Sequence, residues 1–243
     1  MIRALAAALA LWAAPALAVT CEDVAFDGRG YTICEVDPGA EDLRLFLRDD
    51  AGAPYGSFGA VEQAVGPLSF AMNAGMYHED RAPVGLYVED GAQEMRLVTG
   101  DGPGNFQLLP NGVFCIGDGR ADVIETLRFE REAPACRDAT QSGPMLVIDG
   151  ALHPRFLPDS TSRHIRNGVG TSQDGRRVVF AISDEPVTFH EFARLFRDGL
   201  GLPQALYFDG NVSRLHAPAL GRSDAGARMG PIVGVVDPGA AGG

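Results

Sequence analysis

Past its first eighteen residues, this chain never sustains an apolar run for long. Glycine, proline or a turn dipeptide soon interrupts each one: 31 Gly and 16 Pro are spread throughout. Such punctuation disfavours long helices and suits short strands joined by turns. Apolar runs bounded by turn residues predict strands at 31–36, 43–47, 68–72, 84–88, 95–98, 112–116, 145–148, 168–171, 178–182, 205–208, 212–216 and 232–236. Asp90-Gly91, Asn111-Gly112, Asp118-Gly119, Asp149-Gly150 and Asp174-Gly175 mark turns, because these residues tolerate positive φ. Helices are few. Thr188-Phe189-His190-Glu191 is a capping box, followed by a helical stripe of Phe189, Phe192, Ala193, Leu195 and Phe196 that ends near Gly199. A weaker helix is predicted at 58–65. The expected fold is α+β: one β-rich domain with a mixed or mainly antiparallel sheet and few helices.

The opening residues read as a secretory signal peptide. Arg3 supplies the positive start, residues 4–14 the apolar stretch, and Ala16-Leu17-Ala18 a small-residue cleavage site. The expected layout is a signal at 1–18, one domain over 19–237 and a flexible Gly/Ala tail at 238–243. No later segment approaches the length of apolar chain that spans a bilayer, so stable membrane insertion is not expected. The protein should be periplasmic or secreted. Cys21, Cys34, Cys115 and Cys136 then read as disulfides, since an even count in an exported chain pairs oxidatively. Of three connectivities, Cys21–Cys34 and Cys115–Cys136 are favoured because each closes a short loop.

The formal net charge of −12 repels nucleic acid and anionic membranes at long range, so no nucleic-acid partner is expected. An anionic substrate needs a local basic pocket. All 20 basic residues are Arg, which excludes a Schiff-base lysine and a P-loop lysine. No HExxH, paired His-x-His, EF-hand loop or GxSxG occurs, so no metal, cofactor or serine triad is expected. His78, His190 and His216 are isolated and read as structural.

Two segments carry the chemistry. The apolar run at 205–208 ends in Asp209, Gly210, Asn211, Val212 and Ser213. That places a carboxylate, an amide and a hydroxyl at a strand end, with Gly210 and Asn211 able to adopt positive φ. Upstream, Arg155, Arg163, His164 and Arg166 concentrate positive charge, and a guanidinium suits phosphate through its bidentate fork.

Four segments in order resemble the phosphodiester glycosidase family of mannose-6-phosphate uncovering enzyme-like domains. They are Ala71-Met72-Asn73-Ala74-Gly75-Met76-Tyr77; Ala139-Thr140-Gln141-Ser142-Gly143-Pro144-Met145-Leu146 with Asp149-Gly150; Arg163-His164-Ile165-Arg166-Asn167-Gly168-Val169-Gly170 with Asp184 after the next strand; and the Thr188 helix followed by Asp209-Gly210-Asn211-Val212-Ser213. Ala74 and Asn211 stand where glycine is common in the family. The resemblance implies a substrate-binding set of Asn73, Gln141, Ser142, Arg163, Thr188, Gly210, Asn211 and Ser213. It implies catalytic roles for Asp209 first, Asp184 second, and Arg166 on phosphate, with His164 in support.

The expected activity is hydrolysis of the glycosidic bond of a sugar-1-phosphodiester. Phosphate is a good leaving group, so cations that stabilise it and a carboxylate that stabilises an oxocarbenium-like centre suffice. The alternative is a non-catalytic envelope module that binds anionic glycans or assists exopolysaccharide assembly. It needs the arginines but no poised carboxylate.

Overall fold

Most of the short apolar runs pair as strands, in three antiparallel sheets, while the run expected at 84–88 pairs only over Tyr87–Glu89. The computed structural model describes residues 19–237; the expected signal peptide and tail lie outside the described residues. The first sheet has seven strands in the order Thr20–Phe26, Arg29–Val36, Val178–Ser183, Asn167–Thr171, Gln204–Asp209, Met145–Ile148 and Ala151–Leu152. The second runs Arg222–Ser223, Leu215–Ala217, Leu68–Asn73, Ile232–Val236 and Asp42–Phe46. The third runs Ala92–Met95, Tyr87–Glu89, Asp138–Ser142, Gly112–Gly117 and Arg120–Glu125.

One core joins the sheets. Phe180 of the first sheet has its ring 4.6 Å from Phe70 of the second and meets Phe114 of the third edge-on at 5.8 Å. The other face of the first sheet is covered by the helix Phe189–Arg194 and its continuation as a π-helical turn, Leu195–Gly199, which bring Phe192 and Phe196 against it. With both faces covered, Val178–Ser183 is buried at every residue, and its first five residues read as an unbroken apolar run. Both bonds of the Thr188/Glu191 capping box form. The helix Phe58–Val65 appears where predicted, capped by Ser57, and buries Phe58 and Val61 on the second sheet.

Both favoured disulfides are present, Cys21–Cys34 and Cys115–Cys136. Several elements depart from expectation. The strand expected at 95–98 forms earlier, at Ala92–Met95, and that at 212–216 shortens to Leu215–Ala217. Thr20–Phe26, Arg120–Glu125 and Asp138–Ser142 are strands, and Thr126–Glu132 a helix, without an apolar run to announce them. No helix among the described residues is long and apolar enough to cross a membrane.

Candidate active site

Two neighbouring strands of the first sheet, Asn167–Thr171 and Gln204–Asp209, bring Asn167 opposite Asp209. The register slips there, so Phe208 is an extra, bulged residue. A bulge re-aims the side chains that follow it. A cavity of about 480 Å³ opens at this end, lined by Tyr77, His164, Tyr207, Asp209 and Asn211 among the apolar Met76, Val84 and Val212.

Asp209 is 8% exposed. Its Oδ1 accepts from the N–H groups of Gly210 at 2.6 Å and Asn211 at 2.9 Å. Burial raises its pKa above the usual aspartate value, against the opposing pull of these N–H groups and that of Val212. The turn does not use the left-handed conformations expected of it: neither Gly210 nor Asn211 has positive φ. Glycine is needed at 210 for closeness instead, since a Cβ there would lie 2.1 Å from the Tyr207 hydroxyl. Nor does the segment close a hairpin; it crosses from the first sheet to Leu215–Ala217 in the second. Ala74 sits in the buried Asn73 segment without positive φ, which falls on Gly75 at +143°.

Arg166 lies behind the cavity and not on its lining. It is 1% exposed, with its guanidinium carbon 3.6 Å from the Phe189 ring centroid and 5.4 Å from that of Tyr207. Nε donates to the Val187 carbonyl at 2.9 Å and Nη2 to the Ser162 carbonyl at 3.2 Å, while Nη1 is buried without a partner. Burial pulls its pKa down and Tyr207 pushes it up. The Tyr207 phenol is raised strongly by burial, with Arg166 opposing, and stays a protonated donor. A cation buried against two aromatic rings without a carboxylate is costly to keep.

Beneath the site, polar groups lock the three sheets together. The Asn73 and Asn167 side chains bond reciprocally at 3.3 and 3.0 Å. Asn73 Oδ1 also accepts from the Arg214 N–H, and Asn167 Oδ1 from the Asp209 N–H. Ser213 Oγ donates to the Asp209 carbonyl at 2.8 Å, and Ser142 Oγ to that of Phe208 at 2.9 Å. These residues hold the backbone of the Asp209 turn from below.

The remaining candidates lie elsewhere. Arg163 makes a bidentate surface pair with Glu191, at 2.7 and 2.9 Å. Thr188 is buried as the helix cap. Gln141 clamps loops, accepting from Leu86 and Val98 N–H and donating to the Val98 carbonyl and Thr126 hydroxyl. Asp184 pairs with Arg222 at 3.2 Å and accepts from Thr32, at the seam of the first two sheets. Tyr77, Tyr207 and Asn105 line the cavity, although sequence reasoning did not single them out. Tyr207 carried a signal, two positions before Asp209 on the same strand. Among the described residues, no three His, Cys, Asp or Glu side chains converge as metal ligands.

A strand-end carboxylate with elevated pKa, buried beside phenols and backed by a buried guanidinium, can act on a charge-separating bond. Comparisons with known proteins identify the family. The phosphodiester glycosidase family profile matches residues 67–217. The Escherichia coli (strain K12) uncharacterized protein YigE is 34% identical over 213 residues, 86% of this chain and 83% of its own. The chain therefore belongs to the phosphodiester glycosidase family. The fold resembles the zebrafish N-acetylglucosamine-1-phosphodiester alpha-N-acetylglucosaminidase catalytic domain, with a TM-score of 0.63 and 13% identity, over 90% of this chain and 82% of that one. It also resembles a Burkholderia pseudomallei K96243 protein described as exported, with a TM-score of 0.56 and 13% identity, over 86% and 74% of the two chains.

Proposed function

We propose that this protein is an exported hydrolase that cleaves the glycosidic bond of a sugar-1-phosphodiester. The observation that carries the reading is Asp209, a carboxylate largely withdrawn from water on the wall of a cavity that also presents two tyrosines. The bond between the anomeric carbon and the phosphate oxygen breaks, and its electron pair leaves with the phosphomonoester. Water supplies the hydroxyl that replaces it. Asp209 as carboxylate stabilises the oxocarbenium-like centre or takes the proton of the attacking water. Tyr207, kept protonated, donates to the developing negative charge. Arg166 behind it adds a positive field in a site of low dielectric, where such a field acts strongly. Asn73, Asn167, Ser142 and Ser213 position the Asp209 turn.

Family membership supports hydrolysis at a phosphodiester of a sugar. The two disulfides, which persist in oxidising compartments, support export. Hydrolysis in ¹⁸O-labelled water tests the reaction type. With N-acetylglucosamine-1-phosphodiester as substrate, the label should enter the released sugar. Label in the phosphate would make the protein a phosphoesterase, and binding without turnover would leave the non-catalytic envelope module.

A further inference from the structure

In a chain where acids outnumber bases, most described arginines are tied to carboxylates, as in Arg29–Glu185, Arg128–Asp149 and Arg222–Asp224. Among the described residues, no carboxylate lies within ion-pair reach of Arg81 or Arg214. Arg81 Nη1 donates to the Glu79 carbonyl at 2.7 Å, and its Nε is buried without a partner. Arg214 Nη1 donates to the Ala227 carbonyl at 2.5 Å. The fold thus leaves both cations without a counter-charge.

Both belong to the surroundings of Tyr77, a wall of the cavity that holds Asp209. The Arg81 guanidinium carbon is 5.4 Å from the Tyr77 ring centroid. The Arg214 backbone N–H is fixed by Asn73 Oδ1 at 2.9 Å. Burial raises the Tyr77 phenol pKa, Asp209 adds to the rise, and Arg81 and Arg214 both oppose it. The geometry places them there too: the Arg81 guanidinium lies over the Tyr77 ring, and the Arg214 guanidinium is held by the Ala227 carbonyl, next in the chain to the Arg228 carbonyl that accepts from the Tyr77 hydroxyl at 3.4 Å.

The loop that carries Arg81 is built tightly. Val84 N–H returns to the Met76 carbonyl, His78 N–H to that of Ala82, and Arg81 N–H to that of His78. Arg81 itself sits at φ +73°. Glycine or asparagine would fill that left-handed position with less strain, and strained residues persist where the surrounding structure holds them. A long cation in a glycine position, unpaired and poised over a cavity tyrosine, is not explained by the loop's own needs.

We infer that Arg81 and Arg214 form an anion subsite at the rim of the cavity on the Tyr77 side, which takes the phosphate of a phosphorylated sugar whose ring enters the cavity. The inference rests on the sugar-phosphodiester reading of the site and assigns the phosphate to residues other than Arg163 and Arg166. A guanidinium matches phosphate oxygens in both charge and hydrogen-bond direction. The tyrosine and apolar lining suits the faces of a sugar ring.

Calorimetric titration of the folded protein with N-acetylglucosamine-1-phosphate, and with N-acetylglucosamine as the neutral control, tests this. Arg81→Gly removes the guanidinium and supplies the residue best suited to that φ, so its melting temperature should not fall. Its dissociation constant for the sugar phosphate should rise about tenfold or more, with the neutral sugar unaffected. Arg214→Gln should move in the same direction. The subsite is overturned if Arg81→Gly binds the sugar phosphate as tightly as the wild type, or loses both ligands equally, or if the wild type shows no phosphate-dependent affinity. Wild-type turnover separates this from the enzymatic reading. Arg81-dependent binding without cleavage keeps the subsite and removes the hydrolase. Cleavage with unchanged KM in Arg81→Gly keeps the hydrolase and removes the subsite.

Discussion

Asp209 has to be ionised to do what is asked of it, and burial works against that. The acid limb of the pH–rate profile should therefore sit above the titration of an ordinary aspartate, with kcat/KM falling as pH drops through that limb. A limb at or below the ordinary value would remove Asp209 from the rate law. The two arginines of the upstream segment should behave oppositely. Arg166→Ala strips a cation from two aromatic rings and removes its bonds to the Val187 and Ser162 carbonyls, the first of which keeps the His164 N–H, so it should cost roughly 1–3 kcal/mol of stability and most of the turnover. Arg163→Ala removes an exposed pair with Glu191 and should cost less than about 1 kcal/mol, with turnover retained. Denaturant melts and initial rates on both variants check the contrast. Asp209 was legible in the sequence because a carboxylate after an apolar run stands at a strand end. Tyr77 was not, because an aromatic residue beside apolar neighbours reads as core until the cavity is seen. The depth of Arg166 was likewise hidden, since charge alone points outward.

At the scale of elements, legibility followed what each side chain bonds to. Strands with apolar runs, such as Met145–Ile148 and Ile232–Val236, were readable to the residue. Asp138–Ser142 was not, although every residue in it is buried. Its polar side chains are satisfied by backbone and loop partners, as with Thr140 on the Ala74 carbonyl and Asp138 on the Asp90 N–H, so no hydrophobic period marks the strand. Gln141 and Ser142, expected to bind substrate, are instead buried, Gln141 clamping loops and Ser142 bonding across to the first sheet. The capping box was legible because its chemistry is local. Thr188→Ala removes the acceptor for the Glu191 N–H at a buried helix start beside Arg166, and should cost about 1–2 kcal/mol by thermal or denaturant melting. A neutral result would mean that packing of Phe192 and Phe196 alone fixes this helix.

For the whole molecule, the acidic balance meets two further carboxylates, besides Asp209, that the fold holds back from ionising. Burial raises Glu41 and Glu89 from 4.5 to about 7. Glu41 accepts from the Asp37 N–H, and Glu89 from the Tyr87 hydroxyl at 2.6 Å. Their contribution to stability is full below the unfolded value of 4.5 and is lost as pH rises through about 7. The melting temperature should fall between about pH 5 and about pH 8, and Glu41→Gln with Glu89→Gln should flatten that slope. A melting temperature that rises across the same window would contradict it. The most direct test of the cavity's chemistry is wild type against Asp209→Asn on an N-acetylglucosamine-1-phosphodiester, with melting curves alongside. Asparagine keeps the shape and an oxygen for the Gly210 and Asn211 N–H groups, but it carries no charge and takes no proton. The predicted result is phosphomonoester release by the wild type and a fall of at least about a hundredfold in a variant that melts like it. Near-wild-type turnover by a well-folded Asp209→Asn would contradict the assignment of the chemistry to this cavity.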